Sequence, residues 1–237
     1  MSDKTALTVR EEYGMIDPAQ VTQVIAANLG TGGINLFDLD ILHVPTSGSA
    51  WELPALEGTE SVKAIRGIIV TWRELRRYYK DTYKAGVKEP PTCSSMDMIN
   101  GSIPFDDELG CGGPCGQCPM NQFGTSTAQG GGPGRGKACS QYRYLFVMVP
   151  GRILPLVVAV PPTSLTAVRK YMMQLTSYNR TFFSVVTELT LERGEPVPTI
   201  GFKAIKQIDA TELQSMAAYF AEMRRVFADV ALETDKE

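Results

Sequence analysis

Apolar residues recur along this chain with two periods, and the alternation between them divides it into strands and helices. Val21, Val24, Ile25 and Leu29 follow an Asp-Pro start at helical spacing, which predicts a short helix over 17–29. Ile34 to Val44, with Leu36, Leu39, Ile41 and His43, reads as a strand ending at the turn Pro45-Thr46-Ser47-Gly48. Ile65 to Tyr79 is a second, long strand. No period is visible from 111 to 138. Tyr142 to Val149 and Leu154 to Val160 then predict a hairpin about Pro150-Gly151-Arg152. Leu165, Val168, Tyr171, Met172 and Leu175 mark an amphipathic helix with Thr163 or Ser164 as N-cap. Strands over Phe182 to Leu191 and Thr199 to Lys206 follow. A closing helix over 211–232 has Leu213, Met216, Tyr219, Phe220, Met223 and Phe227 on one face.

Strands thus outnumber helices, and they are not followed one by one by helices as a doubly wound sheet requires. The pattern predicts a mainly β fold with α: a small barrel of the oligonucleotide/oligosaccharide-binding type, with a late amphipathic helix and a C-terminal helix. At 237 residues with 43% hydrophobic and 21% charged side chains, the whole of 1–237 reads as a single domain, with an insertion over 90–140 and a helix plus acidic tail over 207–237. No apolar run approaches the roughly 20 residues that span a bilayer, and no secretory signal pattern opens the chain, so the expectation is a cytoplasmic protein away from membranes.

A net charge of −3 hides a division along the chain. Residues 1–62 hold 2 basic and 9 acidic side chains and 207–237 hold 3 and 7, whereas 63–92 hold 8 and 3 and 151–206 hold 7 and 3. A basic middle between acidic ends points to a local positive face, the feature that matters for phosphate contact. The acidic end, Glu233-Thr234-Asp235-Lys236-Glu237, suits either a protein partner or a frayed helix end.

Chemistry concentrates in the aperiodic segment, which together with its approach holds all five cysteines. Cys115-Gly116-Gln117-Cys118 is a C-x₂-C knuckle, and two remote thiolates complete the four-sulfur shell of a structural Zn²⁺. Cys93, Cys115, Cys118 and Cys139 form one ligand set. Cys111 in place of Cys93 forms the other, since spacing does not settle connectivity. An odd cysteine count argues against disulfides. Cys111-x₃-Cys115-x₂-Cys118 also has radical S-adenosylmethionine spacing, but Gln117 stands where those enzymes carry an aromatic, and too little chain follows Cys118 for their barrel. Gly131 to Lys137 imitates a phosphate loop, yet Ala138 replaces the metal-binding hydroxyl and no strand precedes it. His43, the only histidine, and the acidic run Asp106-Asp107-Glu108 assemble no recognisable acid/base or cation site.

Aromatics and cations interleave in two places, as a single-strand groove requires: rings to stack bases and cations to hold phosphates. Trp72, Arg73, Arg76, Arg77, Tyr78 and Lys80, continuing to Tyr83-Lys84, form the first group; Tyr142, Arg143 and Tyr144 form the second, and Arg135 and Lys137 tip the glycine loop. Packing in the core is the competing role for each ring.

Several of these residues lie in an ordered series: Pro90-Pro91-Thr92-Cys93-Ser94-Ser95-x-Asp97, Cys115-x₂-Cys118-Pro119-x-Asn121-x-Phe123-Gly124, Gly136-Lys137-Ala138-Cys139, Leu154-Pro155 and Pro161-Pro162-Thr163-Ser164-Leu165. Over roughly residues 33–205 the series resembles a group of bacteriophage and mobile-element single-stranded DNA-binding proteins with a zinc-containing, barrel-like fold. The resemblance implies Cys93, Cys115, Cys118 and Cys139 as ligands, DNA in preference to RNA, and a non-enzymatic role in replication or recombination. Two departures stand out: Met98 occupies the place of a glycine, and the loop bearing Cys111 is enlarged. A zinc-stabilised interaction module, as in transcription or assembly, is the alternative reading. Oligomeric state is left open.

Overall fold

A computed structural model describes residues 12–13, 17–30, 34, 38–45, 48–81, 90–127, 134–194 and 198–229. Part of the first predicted strand, Tyr83, Lys84, most of the glycine loop and the acidic tail lie outside these residues. The order is α1 (Pro18–Leu29), β1 (Ile41–His43), β2 (Trp51–Ala55), β3 (Gly58–Val62), β4 (Ala64–Tyr78), β5 (Cys93–Ser95), β6 (Ser140–Met148), β7 (Leu156–Val160), α2 (Leu165–Ser177), β8 (Val185–Glu192), β9 (Thr199–Gln207) and α3 (Ala210–Asp229). The fold is mixed, mostly strands with helices. One sheet runs β1-β7-β6-β4-β8-β9 with β5 added on β4, and β2 and β3 form a separate two-stranded sheet. The β1-β7 pair is parallel, whereas β8 pairs antiparallel with both β4 and β9. No described helix is long and apolar enough to cross a membrane.

Described residues up to Trp72, with those from Leu145 onward, make one compact unit; Arg73–Tyr144 make the other. The boundary falls inside β4 and inside β6. In the first unit Leu145, Val147 and Val149 share a core with Val168, Tyr171 and Leu175 of α2. The opposite side of β6 meets α3: Phe146 stacks on Phe227 at 4.9 Å, and the Tyr219 hydroxyl lies 3.2 Å from the Met148 sulfur while donating to the Ile153 carbonyl at 2.7 Å. Helices therefore cover both faces of this strand, which is why its end is a continuous apolar run instead of an alternating one. Gly67 of β4 reflects the same tightness, since a Cβ there would sit 2.5 Å from the Met148 carbonyl oxygen.

Four local expectations change. Phe182–Ser184 form a 3₁₀ turn before β8, not its first residues. Ser164 does not cap α2 with its side chain; its hydroxyl accepts from the Ile200 amide at 2.9 Å, tying the helix start to β9. The β2-β3 hairpin was not anticipated, because Pro54 and Glu52 blur its alternation, yet Trp51 anchors it from the core by donating to the Leu189 carbonyl at 3.2 Å. Short β5 was likewise missed, and it places Cys93 opposite Tyr78.

Candidate metal centre and adjoining aromatic face

Residues 93–139 are poor in apolar side chains but rich in backbone hydrogen bonds. Asp97 accepts from the amides of Ile99 and Asn100 at 2.7 and 2.8 Å and from Ser95 and Asn100 side chains, each at 3.1 Å, closing the turn after β5. These donors hold its carboxyl at about 2, below the ordinary 3.8. Met98 in that turn has φ +65°, the left-handed region that favours glycine, so its place in the resembling series has a conformational cause. Two rungs join the loop's arms: Gly101 N to Gly113 O at 2.8 Å and Gly113 N to Ile103 O at 2.9 Å. The Cys115 amide donates to Ile99 O at 2.7 Å, the Cys118 amide to Pro114 O at 3.1 Å, and the Cys139 amide to Met120 O at 2.8 Å.

This framework brings all five cysteines together. Each is buried and free, and each lines one cavity of about 10 Å³ beside Arg76, Tyr78 and Asn121. Cys93, Cys111, Cys118 and Cys139 form one buried cluster with Tyr78, so Cys111, outside the ligand set that the resemblance implies, lies inside the cluster. Burial pushes the Cys111 and Cys139 thiols up to about 11, with neighbouring cysteines adding to both and Arg76 opposing for Cys139. Thiols so held are poor nucleophiles. Among the described residues no three His, Cys, Asp or Glu side chains already stand as a metal-holding group. The donor set, five soft sulfurs lining one small cavity, is of the kind that binds zinc.

Asn121 was not singled out as a functional residue, although it belongs to the resembling series. Its carbonyl oxygen accepts from Arg76 at 2.6 Å and Lys137 at 3.2 Å, while its amide nitrogen donates to the Cys115 carbonyl at 2.7 Å.

The remaining expected residues separate by face. Along β4 and at the residue just past its end, Glu74, Arg76 and Tyr78 alternate with Arg73, Arg77 and Tyr79. On the first face Arg143 is ion-paired with Glu74 at 2.5 Å and Arg76 is bonded to Asn121. Tyr78 is only 8% exposed and belongs to the cysteine cluster. Both arginines are thus taken up by other side chains and Tyr78 by the cysteines, where the expectation was contact with nucleic acid. Tyr144, 1% exposed, cannot stack a base either. The other face is partly accessible: the Arg77 guanidinium, itself partly buried, lies 5.6 Å over the Tyr144 ring, and Tyr79 is 44% exposed. Tyr142 is partly buried beside them; burial raises its hydroxyl pKa, with Tyr79 adding and Arg77 opposing. Arg73 is partly buried, and Trp72, Lys80 and Arg135 are exposed. Lys137 sits 4.9 Å over the ring of Phe123, which is 80% exposed and went unnamed as a binding residue.

Comparison with protein-family models, with curated proteins and with solved structures returns no match for this chain. Function therefore rests on the site itself.

Proposed function

We propose that this protein binds single-stranded DNA without strong sequence preference, with Arg73–Tyr144 as the binding unit and a zinc ion ordering its cysteine loop. The observation that carries the reading is the partly accessible face where Arg77 lies over the Tyr144 ring, with Tyr79 and Tyr142 near it. Guanidinium groups there meet phosphates, and the partly exposed rings offer stacking surfaces. Arg73 and Lys80 extend the charge along the chain. Zinc would be held by four of the five thiols, with Cys93, Cys115, Cys118 and Cys139 as the proposed set; its part is structural, replacing the core that this glycine-rich segment cannot build. A barrel of the oligonucleotide-binding type and a role in phage or mobile-element replication or recombination belong to the same proposal, supported by the motif series and the strand-rich fold.

Labelled single- and double-stranded oligonucleotides, titrated across salt, test it. Replacing Arg73 and Arg77 together with alanine should flatten the dependence of log K on log salt by about 1.4, at roughly 0.7 per lost phosphate contact on a single strand. An unchanged slope would remove this face from the reading. Exposed Ile99 and Phe105 on the cysteine loop favour a second reading, a protein-docking module. That reading gains if no oligonucleotide binds while Ile99→Ser with Phe105→Ser abolishes capture of one defined partner.

A further inference from the structure

We infer that Arg76 is the charge-balancing and positioning residue of the cysteine centre, held by Asn121 and assisted by Lys137, and that it is not a phosphate contact. This rests on the zinc reading above.

Four thiolates around Zn²⁺ leave two net negative charges, and all five cysteines are buried. A buried anion of that kind needs a cation or hydrogen-bond donors nearby. Arg76 lines the cavity with the cysteines. One of its terminal nitrogens is committed to the Asn121 carbonyl oxygen at 2.6 Å, whereas its Nε is buried with no hydrogen-bond partner among the described residues. A buried N–H without an acceptor is costly. A neutral thiol accepts weakly and a metal-bound thiolate accepts well, so an ion held by the thiols supplies the acceptor that this donor lacks.

Asn121 makes the link mechanical. It grips both cations by one oxygen, and its amide nitrogen fixes the Cys115 carbonyl at 2.7 Å. Its own backbone amide donates to the Cys118 carbonyl at 3.0 Å, so one residue touches both ends of the knuckle. Partners of this kind orient metal ligands, and their loss costs about 10- to 100-fold in metal affinity.

The test is equilibrium zinc competition against a chromophoric chelator, on the full chain. Arg76→Met should bind zinc about 10- to 100-fold more weakly than the parent. Arg76→Lys should recover part of that loss. The cobalt-substituted methionine variant should keep its sulfur-to-metal absorption bands, showing that the ligands are intact. Its salt slope on single-stranded DNA should match the parent's. Parent-like zinc affinity in Arg76→Met, a lysine no better than methionine, or a flattened salt slope would each overturn the inference. Should Arg76→Met fail to fold, Asn121→Ala decides, with a several-fold loss expected and parent-like affinity overturning it. A parent that binds no zinc overturns the metal reading itself, a separable result.

Discussion

Gly112→Ala and Gly116→Ala sit four positions apart in the same cysteine loop and should behave oppositely. Gly112 has φ +108°, and a Cβ there would lie 2.1 Å from the Pro104 carbonyl oxygen and 2.8 Å from its carbon. Both are backbone atoms, so no side chain can swing aside. The Pro104 peptide must retreat by about 1 Å, and its neighbours carry the rungs that close the loop. Those rungs are Gly113 N to Ile103 O at 2.9 Å and Asp106 N to Cys111 O at 3.0 Å. Two hydrogen bonds at about 1 kcal/mol each, plus about 1–2 kcal/mol for a side chain at positive φ, give a loss of about 3–4 kcal/mol. Gly116, between the knuckle cysteines, has no described residue within 4 Å of its would-be Cβ. Alanine there should stay within about 0.5 kcal/mol of the parent. Urea unfolding of the three proteins, with metal content measured on each, makes the comparison. The reasoning is refuted if Gly112→Ala unfolds at the parent's urea concentration, or if Gly116→Ala is the more damaging change.

Tyr144→Phe removes a buried hydroxyl that has no hydrogen-bond partner among the described residues and keeps the ring under Arg77. It should raise stability by about 1 kcal/mol with no change in oligonucleotide binding, and a lowered urea midpoint would show that the hydroxyl has an unseen role. Asp97→Asn should destabilise by about 1 kcal/mol at neutral pH, a figure already discounted for the exposure of the carboxylate. Because folding lowers this carboxyl from 3.8 to about 2, its contribution is complete above pH 3.8 and fades as pH falls toward 2. Stability of parent and variant, measured at successive pH values, should therefore converge below pH 3.8; a gap of constant size would count against the charge being its source.

Much of the fold was legible because its longer elements have clean periods. Thr199–Gln207 was found almost to the residue, Leu165–Ser177 was found from its apolar face, and the two apolar runs about Pro150-Gly151-Arg152 are neighbours in the sheet as expected. What escaped was short or locally contradictory. A strand of three residues such as Cys93–Ser95 has no period to detect, and its existence depends on Arg76, Arg77 and Tyr78 lying opposite. Pro54 argues against a strand by any local rule. It is accommodated in an isolated hairpin, and the tertiary anchor Trp51, spent on Leu189, outweighs propensity. The 3₁₀ turn at Phe182–Ser184 hid at the start of an apolar run for a local reason: a Thr181–Ser184 capping box, not the apolar pattern, sets its geometry.

The site was legible as composition and illegible as direction. Arg76-Arg77-Tyr78-Tyr79 looks in sequence like one basic, aromatic patch, and on a strand it cannot be one, because neighbouring side chains point to opposite faces. The charge of Arg76 goes toward the thiols and that of Arg77 over an aromatic ring. Tyr78 closes the cysteine cluster while Tyr79 remains half-exposed. The deciding information lay about 45 residues downstream, in Asn121, whose side chain takes up Arg76 and leaves Arg77 to the other face. One short run thus serves two chemistries, and the period of two that builds the sheet is what keeps them apart.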